Sequence, residues 1–108
     1  MKIRVRGSKI NRLISRLCER RLGFALDRFT GRIRNADVIL NDLNGPKGGR
    51  DKECRITLRL IPKGLVVVKA VRENFATALD KTLERAERAL SRRIERQRWK
   101  RISFSSPE

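Results

Sequence analysis

Three arginines, Arg85, Arg88 and Arg92, recur at steps of three and four residues near the end of a 108-residue chain. On a helix that spacing sets them in one row, about one turn apart per step. Planar guanidinium forks in a row suit bidentate contact with the phosphates of a nucleic acid backbone. Lys81 shares that segment, and Arg20, Arg21 and Arg28 offer similar donors in an earlier one. Lys47, Arg50 and Lys52 surround a glycine-rich string and are further candidates for phosphate contact, there from a loop.

Other chemistry is poorly provided for. The chain has no His, which removes Ser-His and Cys-His nucleophile pairs, His-ligated metals and imidazole proton shuttles. Cys18 and Cys54 form no CxxC pair and sit among apolar residues, so buried free thiols are expected rather than a zinc or redox site. Asp42 and Asp51 flank a turn, while Glu84, Glu87 and Glu95 intersperse with Arg, and neither set makes a metal cage or an acid–base pair. The string Asp42-Leu43-Asn44-Gly45-Pro46-Lys47-Gly48-Gly49-Arg50-Asp51-Lys52 lacks the spacing of a nucleotide-binding loop. Gly45 to Gly48 does have the GxxG spacing of a KH clamp, but that clamp needs a helix on each side, and both flanks here read as strands. A hairpin connection whose glycines supply positive φ is the better reading. No enzyme, cofactor, metal or small-molecule substrate is expected.

Composition agrees with a phosphate-binding module. Twenty-eight Lys and Arg against 12 Asp and Glu give a formal net charge of +16, and hydrophobic residues make up 39% of the chain. That is too apolar for a disordered basic tail and enough for one domain with its own core. A bound polyanion relieves the self-repulsion of such a charge, so nucleic acid is preferred over a merely soluble surface. The basic opening is not followed by an apolar run, and the longest apolar stretch, Leu65 to Val68, is far too short for a bilayer. A cytoplasmic protein with no membrane partner is expected.

The elements that must position these cations follow from periodicity. Ile3 and Val5 alternate with Lys2, Arg4 and Arg6 as a short strand. Ser8 or Asn11 caps a helix with the stripe Ile14, Leu17, Cys18, Leu22, Ala25 and Phe29, ending at Thr30-Gly31. The period then drops to two: Ala36, Val38 and Leu40 on one side, then Cys54, Ile56, Leu58 and Leu60, then Leu65 to Val68 after a Pro62-Lys63-Gly64 turn. These three strands predict an antiparallel meander. Asn74 caps a second helix with the stripe Phe75, Leu79, Leu83, Ala86, Leu90 and Ile94. From Trp99 the pattern decays, which predicts an ordered domain over 1–98 and a basic, flexible tail over 99–108. The order β-α-β-β-β-α predicts an α+β fold, one four-stranded sheet with two helices on one face. The helices' polar sides then form one continuous cationic surface. Phe24, Phe29 and Phe75 fit core positions, so shape and phosphate recognition is expected rather than single-base readout.

Leu22 to Phe29, the string Asp42 to Gly49, Asp51 to Ile56 and Glu73 to Asp80, in this order, resemble the ribosome hibernation promoting factor family. That family includes ribosome-associated inhibitor A and proteins labelled sigma-factor modulation protein. The resemblance covers residues 1 to 98 and implies a fold similar to the double-stranded RNA binding domain. It also implies binding to small-subunit rRNA between head and body, in the tRNA and mRNA channel, and silencing of translation in starved cells. Arg85, Arg88 and Arg92 match the family's basic positions on the second helix, and Arg28 those on the first. The C-terminal dimerisation domain of long members has no counterpart here. The expected function is therefore a hibernation factor that blocks translation by occupancy. The alternatives are a general double-stranded RNA-binding protein and a regulatory protein-interaction module.

Overall fold

The alternation of Ile3 and Val5 with basic residues builds β1, Lys2–Gly7, the first strand of the computed structural model, which describes residues 1–8, 10–43 and 51–105 and their side chains as far as Gln97. The chain then rises into α1, Arg12–Ala25, and Asn11 caps it by accepting a hydrogen bond from the Ile14 amide at 2.9 Å. This helix carries the chain back so that β2, Ile33–Asp42, pairs parallel with β1, as a crossover through a helix requires. The strands β3, Lys52–Leu60, and β4, Leu65–Arg72, complete an antiparallel meander in the order β1-β2-β3-β4.

One glycine fixes the parallel edge. Gly7 has φ +134°, and a Cβ there would stand 1.9 Å from the Leu40 carbonyl oxygen. Only glycine tolerates that approach, which lets the Ser8 amide donate to the same carbonyl at 2.9 Å.

The core forms where the helices meet the sheet. Ile33, Ala36, Val38 and Leu40 of β2 are buried with Cys54, Ile56, Leu58 and Leu60 of β3. The step of three from Ile33 to Ala36 reflects a register shift between Ile33 and Asn35, which restores the inward phase. In β4 the apolar run divides by alternation: Val66 is buried and Val68 half-buried, whereas Leu65 and Val67 face solvent. The second helix, α2, spans Phe75–Ser105, with Asn74 accepting from the Thr77 amide at 2.8 Å. Its stripe of Leu79, Leu83, Ala86 and Leu90 is buried as the periodicity predicts, and Ala78 and Thr82 join it. The Thr82 hydroxyl is satisfied by the Ala78 carbonyl at 2.6 Å and the Cys54 carbonyl at 3.2 Å. Cys18 and Cys54 are buried free thiols, and burial pushes the Cys54 pKa up to about 12.

The first helix corrects two expectations. It ends at Ala25, and a 3-10 helix over Asp27–Arg32 delivers Leu26 and Phe29 to the core. Phe24 is not a core residue: it is 89% exposed. It stands two positions after the buried Leu22, and two helical steps of roughly 100° turn it to the opposite face. Leu17 is 40% exposed because it stands one helical step, roughly 100°, from the buried Cys18, on the flank of the stripe. Helix α2 runs on through Trp99 to Ser105. No Gly or Pro interrupts the sequence before Pro107, and backbone hydrogen bonding needs no apolar stripe to propagate.

Candidate nucleic-acid interface

The arginines of α2 divide between two sides of the helix. Toward the edge strand β4, Arg85 donates to the Lys69 carbonyl, and Arg93 donates to the Leu65 carbonyl at 2.7 Å. An edge strand exposes unpaired backbone groups, and here two guanidinium groups satisfy two of them. Arg92, Arg93 and Arg96 line a groove of about 310 Å³ between α2 and β4, whose floor is Val66 and Ala89. Helical geometry places Arg85, Arg92 and Arg96 in one row along this groove, since seven and four residues are nearly whole turns. Arg93 and Arg96 are absent from the sequence-derived set of contact residues, although the same periodicity reaches them.

Arg88 lies toward the outer crest of α2, where it meets Glu84 at 3.1 Å, the expected pairing of Glu four residues before Arg. Lys81 reaches the same carboxylate at 3.5 Å. Both pairs are solvent-exposed, so they tie up charge while adding little stability.

The seam between the helices is not the continuous cationic surface expected. Arg21 of α1 bonds Asp80 of α2 at 2.6 Å. Arg28 reaches the Ser91 hydroxyl at 3.4 Å and lies over the Phe29 ring, 4.6 Å from its centroid. Asp80, Glu84, Glu87 and Glu95 all line grooves along this seam. The i to i+4 and i+7 spacing of those carboxylates puts them on the flank of α2 that faces α1. Carboxylates therefore interleave with the cations of the seam, where Arg28, Arg88 and Arg92 line one groove with Glu87 and Glu95.

Of the three loop candidates, Lys47 and Arg50 lie outside the described residues. Lys52 opens β3, and its ammonium meets Asp51 at 3.0 Å and Asp42 at 3.2 Å. The hydrogen bond that Lys52 donates to the Asp51 carboxylate is the main reason its pKa is raised. With two carboxylates around one ammonium, it braces the start of β3 rather than offering free charge.

A second cationic surface lies on the open face of the sheet. Alternation that turns Ile3, Val5, Ile56 and Leu58 inward turns Lys2, Arg4, Arg6, Arg55, Arg59 and Lys69 outward, and all six are exposed. Pairing aligns Arg6, Ile39, Arg55 and Lys69 across all four strands in one row. None of the six enters an ion pair among the described residues, and only the half-buried Asp37 and Glu53 interrupt the surface with negative charge. The signal was present as the polar half of each strand's alternation. What the sequence hides is register, which brings separate strands' cations together.

Among the described residues no group of three His, Cys, Asp or Glu side chains is placed to hold a metal, and no helix is long and apolar enough to cross a membrane.

Comparison with known proteins agrees with this architecture. The chain superposes on the N-terminal domain of Thermus thermophilus Protein Y with a TM-score of 0.69 and 27% identity, covering 85% of this chain and 98% of that one. It matches the fold of a ribosomal subunit interface protein from Coxiella burnetii with a TM-score of 0.68 at 19% identity, covering 88% of this chain and 99% of that one. No curated protein sequence matches the chain. The family model described as sigma 54 modulation protein / S30EA ribosomal protein matches residues 1–98. With the four-stranded mixed sheet, the two helices and that match together, the chain belongs to the sigma 54 modulation / S30EA family, a family of ribosome-associated modulation factors and not of enzymes.

Proposed function

We propose that this protein is a non-catalytic hibernation factor that binds small-subunit rRNA in the tRNA and mRNA channel and blocks translation by occupancy. One observation carries the reading: two cationic surfaces, the β4–α2 groove and the open sheet face, stand on opposite sides of one packed layer. A body charged on both sides is suited to a cleft walled by RNA, where each surface meets a different run of phosphates. A flat duplex engages only one. Arg85, Arg92, Arg93 and Arg96 supply forked donors on one side, and Arg4, Arg6, Arg55 and Arg59 on the other. The protein then needs no catalytic group, because its volume excludes tRNA and mRNA. Ribosome association also places it in the cytoplasm.

The test is sedimentation of the full chain with ribosomes and separated subunits, alongside cell-free translation. Co-migration with the small subunit, with inhibition rising in step with occupancy, supports the proposal. Spread over all structured RNA identifies a general RNA binder instead. Retention of a protein partner after RNase treatment identifies a protein-interaction module.

A further inference from the structure

We propose that the seam between α1 and α2 is a pocket for one unpaired nucleobase of RNA, stacked on Phe24 and read through its N–H donors by Glu87. The inference rests on the RNA-binding reading above and names what one part of the surface recognises.

Phe24 is 89% exposed, and it does not stand on a convex surface. It lines an open groove of about 560 Å³ together with Leu83 of α2, a volume within the range of small-molecule sites. An apolar ring beside a second apolar side chain is a stacking platform, and every base has a π-face to lay on it. The two walls differ in charge. Arg20 lies one turn before Phe24 on the same side of α1, exposed and in no ion pair among the described residues. Arg28 lies outside this groove, where it reaches Ser91 and covers the Phe29 ring. Arg20 is placed for a phosphate next to a stacked nucleotide.

The opposite wall is acidic. Arg21 engages Asp80, and Lys81 with Arg88 engages Glu84. Glu87 lines the same groove and pairs with no cation among the described residues. A carboxylate only accepts hydrogen bonds, so it repels phosphate and attracts base N–H groups. The walls thus orient a nucleotide base inward and phosphate outward. Guanine fits best, because its N1–H and N2–H lie side by side, opposite two carboxylate oxygens. Uracil fits worst, because its single N3–H is flanked by two carbonyls.

The rival occupant is an apolar helix of another protein, lying along Leu13, Leu17 and Phe24. These three are exposed on α1 at 77%, 40% and 89%. Arg12, Arg16 and Arg20 stand beside them, and a net charge of +16 favours a polyanion over a basic ribosomal protein surface.

The test uses the full chain and RNA hairpins with one bulged guanine, one bulged uracil, or full pairing, measured by fluorescence anisotropy at fixed salt. Phe24→Ala should weaken binding to the guanine bulge roughly 10-fold and leave the fully paired hairpin unchanged, with Phe24→Trp restoring affinity. Glu87→Gln should abolish the preference for guanine over uracil. Phe24 and Glu87 lie outside the buried core, and unchanged melting temperatures confirm that the variants fold. Equal binding of wild type and Phe24→Ala to every hairpin overturns the pocket, as does a guanine preference that survives Glu87→Gln. Loss of ribosome binding in a Leu13→Ala/Leu17→Ala variant that binds all hairpins normally also overturns it, in favour of a protein partner. If the wild type binds neither hairpins nor ribosomes, the proposed function itself fails. If it binds both and ignores position 24, only the pocket fails.

Discussion

The two cationic surfaces differ in how their charge is held. On the helix side, arginines are interleaved with carboxylates and backbone carbonyls: Arg21 with Asp80, Arg88 with Glu84, Arg85 with the Lys69 carbonyl and Arg93 with the Leu65 carbonyl. On the open sheet face, Lys2, Arg4, Arg6, Arg55, Arg59 and Lys69 enter no ion pair among the described residues. A pre-paired guanidinium is already oriented, but it must share or exchange a partner to bind phosphate. An unpaired one on a rigid strand keeps its full charge available. The helices thus offer order and the sheet offers uncompensated field. Rows of Arg on a helix attract notice in a sequence, yet the face with no such row also carries six cations outside any ion pair among the described residues.

The largest effect that bears on this contrast is salt. With roughly six phosphate contacts shared by the two surfaces, ribosome affinity should fall on the order of 10³-fold between 50 and 200 mM salt. Sedimentation binding at several salt concentrations measures the slope. A flat response would point to an apolar interface and remove both surfaces from consideration.

Two triple substitutions weigh the faces against each other. Arg85, Arg92 and Arg96→Ala removes three charges from the groove, and Arg4, Arg55 and Arg59→Ala removes three from the sheet. Each should weaken ribosome binding about 100-fold, since hydrogen bonds to charged groups contribute roughly 1.5–3 kcal/mol apiece and some contacts will re-form through water. Each should also lower the salt slope by about three. Should the sheet triple bind like wild type, the open face is only a solvated surface. Arg88→Ala, whose partner Glu84 competes with phosphate, should cost less than any groove arginine.

Gly7→Ala attacks the sheet face through its scaffold. A Cβ at 1.9 Å from the Leu40 carbonyl forces β1 away from β2, and β1 carries Lys2, Arg4 and Arg6. The expected loss is about 3 kcal/mol of stability by denaturant unfolding. Leu90→Ala, in the buried α2 stripe, should cost about 2–5 kcal/mol, and it sets the scale for an ordinary core change. On the helix side, Arg93→Ala should cost about 1 kcal/mol or less, because the Leu65 carbonyl loses a donor but gains access to water.

The smallest expected effect is on pH dependence. Burial raises the Cys54 pKa to about 12, so the native state holds its proton more tightly than the unfolded chain. That contribution is complete below the ordinary value of 9.0 and is lost as pH rises from there toward 12. Chemical denaturation at pH 8 and pH 10 should show the drop, and Cys54→Ala should shrink it. Thiol reagents should leave both cysteines unmodified in the native protein at pH 8.

The residue pattern foretold most of the scaffold and less of the surface. The stripe Leu79, Leu83, Ala86 and Leu90 could face only a core, and Asn74 and Asn11 each cap a helix as short polar side chains do. The alternation in β2 and β3 stated which residues go inward. Phe24 shows where reading by residue type fails: its hydrophobicity argued for the core, while its spacing from Leu22 put it outside. Spacing was right. Lys52 shows a second failure, because a lysine beside a loop looks available until Asp42 and Asp51 are found around it.

What the sequence determined by itself is therefore local: which segments are helices and strands, which side of each is apolar, where the caps fall and how much charge the chain carries. These follow from backbone periodicity and from the chemistry of near neighbours. What only the tertiary structure decided is which polar sides meet. The parallel pairing of β1 with β2 set Arg6 in line with Arg55 and Lys69. The packing of α2 beside α1 turned Asp80, Glu84 and Glu87 toward the seam and Arg85, Arg93 and Arg96 toward β4. Buried faces specify how elements dock, and the polar faces then lie wherever that docking leaves them. A charged surface is thus a consequence of the core, and its map cannot be drawn until the core is assembled.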